Sequence, residues 1–470
     1  MTKCTEPAIE FQGLGRRKIR VDFEGGNVSS DGGGLLLREV ERKRGWIRDL
    51  AECCTDTRNP AWVEHPIPSL LAQRIFGLAL GYEDLNDHEH LRADPLLAVL
   101  CEKGDPLGQG RRRKEDQGKP LAGKSTLNRM ELGGQQDSVS RYKKIVFDEA
   151  AVADLFVRQF IRSHATAPAS VILDLDATDD LIHGKQEGRF FHGYYDAYCY
   201  LPLYIFCGDH LLCALLRPSN IDASAGALDQ IERIVEPLRE AWPEVNILLR
   251  ADSGFARDEI MSWCEEHRVD YLFGLARNAR LETFLSPALE SAKRWQQVVG
   301  GPVRTFMELR YRTQKSWSRA RRVIGKAEVS AQGSNPRFVV TSLTARDEGA
   351  RELYEQTYCA RGDMENRIKE QQLDLFADRT STAVMKSNQL RLWFSAIAYS
   401  LINDLRTVGL KGTRMARSTC GTIRERLLKI GAVIRVSVRR VSIHLATGCA
   451  WQDVFTQAVN QLCPACINTS

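Results

Sequence analysis

Three acidic residues far apart in this chain carry chemistry that an ordinary core does not need. Asp176 ends the apolar run Val171-Ile-Leu-Asp-Leu-Asp176, and Asp252 ends Val245-Asn-Ile-Leu-Leu-Arg-Ala-Asp252. Glu365 lies in the helical-looking stretch Tyr358-Cys-Ala-Arg361-Gly-Asp-Met-Glu365-Asn-Arg-Ile-Lys369. Two aspartates at strand ends and a glutamate on a helix are the donor set of a two-metal phosphoryl-transfer site. Bare carboxylates repel one another, so bringing them together makes sense around divalent cations.

Neighbouring residues fit the same chemistry. Asp174 shares the strand parity of Asp176, so both could point to one face. Asp252 precedes Ser253-Gly254, which puts it at a sheet edge where ligand sites form. A helix cap is the alternative, more natural for Ser253 than for Asp252. Arg361, Glu365 and Lys369 follow Tyr358 by three, seven and eleven residues, one face of a helix. Glu suits a metal, Arg and Lys suit phosphates, and Tyr suits a sugar-phosphate oxygen. A surface ladder of Arg361–Glu365–Lys369 ion pairs is the competing reading.

The elements that must position these residues can be read from periodicity. The expected fold class is α/β (α+β): a ribonuclease-H-like core, a β-rich insertion, a helical N-terminal region and a small basic C-terminal region. Residues 1–165 read as mainly helical. Ser69–Leu80 forms a helix after Pro66 and Pro68, and Asp94-Pro95 starts another. Residues 166–277 read as the first part of the core. They hold a strand over 171–176, a hairpin of 199–207 and 210–216, and a helix over 223–242. A strand over 245–251, a helix over 257–268 and a strand over 270–276 follow. Residues 278–336 read as the β-rich insertion, because Val303–Arg312 alternates with period two. Residues 337–410 return to the core with the Glu365 helix, and residues 411–470 form a basic region with a β-ribbon.

Composition limits the partners. An apolar fraction of 43% and a charged fraction of 27% suit a globular protein. The net charge is only +5, but its distribution is uneven. Residues 401–450 hold ten Lys/Arg against two Asp/Glu, and residues 301–330 hold eight against two. Such patches suit a polyanion such as DNA, or they are solvated charged faces. Arg111, Arg112, Arg113 and Lys114 form a basic loop candidate for DNA, in a region that could equally serve packing or dimerisation. The 13 scattered cysteines argue against a disulfide framework and for a reducing cytoplasm. Gly208-Asp209-His210 breaks the one stretch that approaches membrane-span length, so no membrane partner is expected.

At this point the residues resemble a known family. Tyr358, Arg361 and Glu365 match the Tyr-x2-Arg-x3-Glu-x6-Lys signature of bacterial insertion-sequence DDE transposases. Gln372 stands where the signature has Lys, with Lys369 one turn earlier. Ser29-Ser-Asp-Gly-Gly-Gly-Leu-Leu-Leu37, Asp176-Ala-Thr-Asp-Asp180 with His183-Gly184, and Arg250-Ala-Asp-Ser-Gly-Phe255 resemble the thirteen-eighty family of insertion sequences. The resemblance implies cut-and-paste transposition, with Asp176, Asp252 and Glu365 as catalytic acids holding two Mg2+ (or Mn2+) ions. Asp174, Tyr358, Arg361 and Lys369 would support them. The implied partners are double-stranded DNA, as terminal inverted repeats and target, and a second copy in a homodimeric synaptic complex. The implied setting is the bacterial cytoplasm, at the nucleoid when bound to DNA. Insertions in this group contact transposon ends, which nominates Trp317 with Arg319, Arg321 and Arg322 for DNA, and Trp295 second. Packing of the insertion's own core is the alternative for either tryptophan. Two other functions remain open: a non-catalytic DNA-binding descendant, and a metal-dependent nuclease that does not join strands.

Overall fold

The computed structural model describes residues 9–132 and 144–464. Contacts divide the chain into two compact units. The first takes Met1–Ala51, Asp56–Met130 and Asp404–Ser470; the second takes Glu52–Thr55 and Glu131–Asn403.

The second unit is built on a nine-stranded mixed sheet. Its principal strands are β1 (Ser170–Ala177), β2 (Leu203–Cys207), β3 (His210–Leu215), β4 (Asn246–Ala251), β5 (Asp270–Leu275), β6 (Val303–Tyr311), β7 (Arg321–Ser330) and β8 (Arg337–Thr341). They lie in the order β3-β2-β1-β4-β5-β8-β7-β6. β4 runs parallel to β1 with Arg250 level with Asp174, and β5 runs parallel to β4. β2 is antiparallel to β1, with Tyr204 opposite Asp176. The helices are α1 (Glu149–Ser163), α2 (Ala227–Ala241), α3 (Asp258–Glu266), α4 (Ala279–Val299), α5 (Gly362–Lys369) and α6 (Met385–Asp404).

Strand parity sorts the two faces of this sheet. Leu173, Leu175, Ile247, Leu249, Tyr271 and Phe273 join one core with Ile231, Ile234, Val235 and Leu238 of α2. The intervening positions point the other way, where Leu272 packs with Ile324, Val339, Leu353 and Tyr354. Asp174, Asp176 and Arg250 have this second parity. The chain entering α5 therefore lies on the face to which the strand acids point. Burying each large apolar side chain contributes about 1.5–3 kcal/mol, so the sheet is a firm platform for two of the acids.

Three expectations change. The hairpin arm foreseen over 199–207 is split, because Pro202 has no N–H for a ladder. Ala197–Tyr200 instead joins a separate small sheet with Asp180–Leu181 and Phe190–His192. The segment 278–336 is not mainly β. Asn278 caps Leu281 N, and Leu281, Leu285 and Ala292 bury one face of the long helix α4 before Gly300 ends it in the left-handed conformation. Its strands β6 and β7 extend the main sheet through β8 rather than forming a sheet of their own. The helix foreseen over 223–242 starts later, at Ala227, after Gly226 turns the chain with φ +68°.

In the first unit, Ile67–Ala79 and Pro95–Leu100 are helical as expected, and Asp94 accepts from Leu96 N and Leu97 N. The basic ribbon is Ala432–Val436 paired with Val441–Leu445, and Val28–Ser29 adds a third strand. Arg439-Arg440, where the alternation slips, lies between the two ribbon strands. A Cβ on Gly33 would stand 1.8 Å from the Leu427 carbonyl oxygen, so the Gly-Gly-Gly run allows a close approach of two backbones.

Candidate active site

Arg361 bridges two of the acids. Its Nη2 donates to Glu365 Oε1 at 2.9 Å, and its Nη1 lies 3.7 Å from Asp176 Oδ2. Burial raises the Asp176 pKa to about 7; Arg361 opposes that rise, and the charges of Asp252 and Glu365 add to it. Asp176 thus feels both other acids across the site. It keeps one hydrogen bond at Oδ1, from its own neighbour Ala177 N at 3.0 Å.

Asp252 follows the last residue of β4 and caps a short turn, Ser253–Phe255, by accepting from Gly254 N at 2.8 Å. The capping role thus belongs to Asp252 itself. It uses Oδ1, while α3 takes Arg257 as its own N-terminal residue.

The third acid is held by an irregular helix. Leu353–Tyr358 is a π-type turn, Cys359–Arg361 a tight 3-10 turn, and α5 begins at Gly362. Such turns rotate the following residues relative to a regular helix and recur at functional sites. Here Tyr358 reaches the sheet. A Cβ on Gly274 of β5 would come within 2.6 Å of the Tyr358 hydroxyl and 2.9 Å of Ser253 N. Glycine is thus what lets the phenol lie over β5, and burial raises the Tyr358 pKa.

Asp174 is held by another partner. Arg250 Nε donates to its Oδ1 at 2.5 Å and Nη2 to its Oδ2 at 2.7 Å, with both side chains almost fully buried. Arg250 Nη1 also donates to the Thr357 carbonyl, next to Tyr358. The pair ties β1 and β4 to the helix that carries Glu365. Sequence reasoning gave Arg250 no role beyond its place in a motif, and passed over Gly274. Both left signals: an arginine sharing the parity of Asp252 in Arg-Ala-Asp, and a lone glycine inside a strand pattern.

The remaining residues named from sequence are dispersed. Lys369 is exposed at the end of α5. Gln372 donates to the Asp179 carbonyl at 3.2 Å and to Asp180 Oδ1 at 3.0 Å. Trp317 is buried, edge-on to Tyr311 at 5.8 Å, so its ring is a core residue. Arg321 is buried and paired with Asp258 and Glu265; Arg322 pairs with Glu308, and Arg319 with Glu265. Trp295 is exposed on α4. In the first unit, Arg111 pairs with Glu64 and donates to the Lys119 carbonyl, so it braces its own loop. Arg112 donates to the Ala61 carbonyl, Arg113 lies 3.8 Å from Glu115, and Lys114 is exposed. Of the scattered cysteines, Cys463 is disulfide-bonded.

A donor set of carboxylate oxygens without nitrogen or sulfur suits a hard divalent cation such as Mg2+ or Mn2+. The guanidinium of Arg361 is the cation now standing against these acids. Among the described residues, no three His, Cys, Asp or Glu side chains are gathered as a ready metal cage. No helix among the described residues is long and apolar enough to cross a membrane.

The mixed sheet thus places Asp176 beside the glutamate-bearing helix through Arg361, with Asp252 at the end of the neighbouring strand. Residues 11–466 match the family model described as Transposase DDE domain group 1, and the chain belongs to that family. Among solved structures, it is similar to piggyBac transposase in a cryo-EM structure of its synaptic complex with hairpin DNA. The identity is 12%, the coverage is 85% of this chain and 80% of that chain, and the TM-score is 0.39. No curated protein matches the chain.

Proposed function

We propose that this protein cuts and rejoins DNA as the transposase of its own insertion sequence, with Asp176, Asp252 and Glu365 as its catalytic acids. The observation that carries the reading is the placement of Arg361 between two of the acids, its Nη1 3.7 Å from Asp176 Oδ2 and its Nη2 donating to Glu365 Oε1 at 2.9 Å, with the charge of Asp252 acting on the same guanidinium. The sheet order β3-β2-β1-β4-β5, with β1, β4 and β5 parallel and β2 antiparallel to both β1 and β3, supports a ribonuclease-H-like core. The Ser29–Leu37, Asp176–Gly184 and Arg250–Phe255 motifs favour the thirteen-eighty family of bacterial insertion sequences. Double-stranded DNA as terminal repeats and target, a homodimeric synapse and a cytoplasmic setting belong to the same reading.

In the first step water attacks the scissile phosphorus, and the 3′-oxygen leaves to become a 3′-hydroxyl. In the second, that hydroxyl attacks a phosphodiester of the target, whose own 3′-oxygen leaves. Two divalent cations held by Asp176, Asp252 and Glu365 would lower the pKa of the attacking water and stabilise the leaving oxygen. Arg361 balances the acids and lies where it can bind a phosphate oxygen. Tyr358, its hydroxyl over Gly274, is a hydrogen-bond donor for the same phosphate. Gln372 supports the Asp179–Asp180 turn in place of a phosphate-binding lysine.

The test uses a plasmid carrying the DNA that flanks the gene, incubated with Mg2+ or Mn2+. Wild type should release the element and join its 3′-hydroxyl ends to target DNA. Asp252→Asn and Glu365→Gln should bind the ends and do neither. Cleavage that persists in both variants would refute the acid assignment. Cleavage without joining would favour a nuclease of the same fold, and binding with no cleavage by wild type would favour a non-catalytic DNA-binding protein.

A further inference from the structure

Burial of Trp317 leaves the stacking role suggested for it without an exposed ring. A concentration of exposed aromatic side chains lies elsewhere in the same unit. The hairpin of Phe190–His192 and Ala197–Tyr200 exposes Phe190, Phe191, Tyr194 and Tyr198; Tyr194 at its tip is 86% exposed and Phe191 53%. Phe191 stands opposite Tyr198 in the ladder, their rings edge-on with centroids 5.5 Å apart. Arg189 lays its guanidinium 3.7 Å over the Tyr198 ring. Leaving this many rings in water is unfavourable, and such patches mark binding surfaces.

The hairpin is rigid at its base. Tyr200 donates to the Glu187 carbonyl at 2.6 Å, Ser219 donates to the Phe190 carbonyl at 3.0 Å, and Glu187 N donates to the Ala383 carbonyl. It is also tied to the acids. The Tyr195 hydroxyl donates to the carbonyl of Ala177, the residue after Asp176, at 3.3 Å. The charges of Asp179, Asp176 and Asp252 all act on that hydroxyl. The tip, by contrast, carries Tyr194 into solvent.

We infer that the Phe190–Tyr198 hairpin is a stacking platform for unpaired DNA bases next to the carboxylate site. The occupant follows from location and chemistry together. The hairpin adjoins Asp176 through the Tyr195–Ala177 hydrogen bond, so a strand whose phosphate reaches Asp176 lies within its reach, and duplex ends lose base pairs most easily. Aromatic faces accept any base by stacking, and the Arg189–Tyr198 pair adds a cation for the neighbouring phosphate. The inference rests on the DNA reading of the site, but it assigns a separate surface and a distinct ligand state.

The experiment compares a blunt duplex with the same duplex carrying a short single-stranded thymine flap, by fluorescence anisotropy in EDTA. Wild type should prefer the flapped duplex. Phe191→Ala combined with Tyr194→Ala should lower flap affinity by about 5- to 100-fold, the range expected for loss of base stacking, with blunt-duplex binding unchanged. Phe191→Trp combined with Tyr194→Phe should keep the preference. Circular dichroism should be the same for all three proteins. A preference that survives the double alanine variant would overturn the inference, as would an equal loss for both DNAs. A change of oligomeric state by sedimentation, with flap preference intact, would mark the patch as a contact between copies and would also overturn it. Joining without any flap preference in wild type sinks the platform alone. Flap preference without metal-dependent cleavage sinks the transposition chemistry and leaves the platform standing.

Discussion

Replacing Arg250 by methionine tests the scaffold behind the acids. Methionine matches much of the volume but leaves the Asp174 carboxylate buried, with two charge-assisted hydrogen bonds removed and the Thr357 carbonyl stripped of its donor. Each hydrogen bond to a charged group contributes about 1.5–3 kcal/mol, and breaking a buried ion pair costs about 3–5 kcal/mol. A loss of about 3–5 kcal/mol is therefore expected, a substantial fraction of a domain's whole stability of about 5–15 kcal/mol. Adding Asp174→Leu removes the stranded charge and should recover most of that loss, because the cost lies in the unpaired carboxylate. The two single variants and the double variant form a cycle, measured by urea denaturation of the metal-free protein. Restored stability should not bring back full DNA cleavage, since the tether from β4 to Thr357 is still missing. A single-variant loss under about 1 kcal/mol, or a double variant no better than Arg250→Met, would refute this account of the pair.

Gly274→Ala should drive the new methyl against the Tyr358 hydroxyl and Ser253 N, costing about 1–3 kcal/mol, with a fall in cleavage; adding Tyr358→Phe should recover part of the stability. Trp317→Ala should destabilise by about 3–5 kcal/mol in urea, with the folded variant keeping its preference for flapped DNA. Asp176, raised to about 7, is a carboxyl whose folded form holds its proton more tightly than the unfolded chain does. In EDTA its contribution is most favourable below the unfolded pKa of about 4 and is lost as pH rises towards 7. Asp176→Asn should therefore gain stability relative to wild type between pH 5 and pH 8, by about 2–3 kcal/mol. A constant difference across that range would contradict the assignment.

The sequence was most legible where one physical signal dominated. The apolar runs before Asp176 and Asp252 had no reading except buried strands, and β1 and β4 follow them. The i, i+4 spacing of Arg361 and Glu365 foretold the ion pair between them. Legibility failed where two signals competed. Pro202 divides a run that apolarity alone would join. Residues 278–300 lack a strong apolar stripe, since only Leu281, Leu285 and Ala292 of α4 are buried, and the alternation of Val303–Arg312 was extended over them. Trp317 and Arg321 illustrate a further limit. Composition shows a basic stretch, but only pairing partners show which charges are already neutralised, and Asp258 and Glu265 lie some sixty residues away in sequence. Arg250 escaped for the same reason, because its partner Asp174 is a lateral neighbour across strands.

The route of the chain between the second and third acids has a consequence for how such proteins diversify. After β5 the chain makes α4, β6 and β7, then returns through β8, which pairs directly with β5. The excursion opens and closes on neighbouring strands of one sheet. Its length is thus decoupled from the distance between Asp252 and Glu365. Whole elements could be added or deleted around Ala331-Gln332-Gly333, far along that excursion, without moving either acid. One residue gained or lost between Leu353 and Glu365 would instead swing the glutamate by roughly a quarter turn of helix. The long interval is therefore open to evolutionary and engineered novelty, whereas the short irregular helix beyond it has almost no freedom to change length.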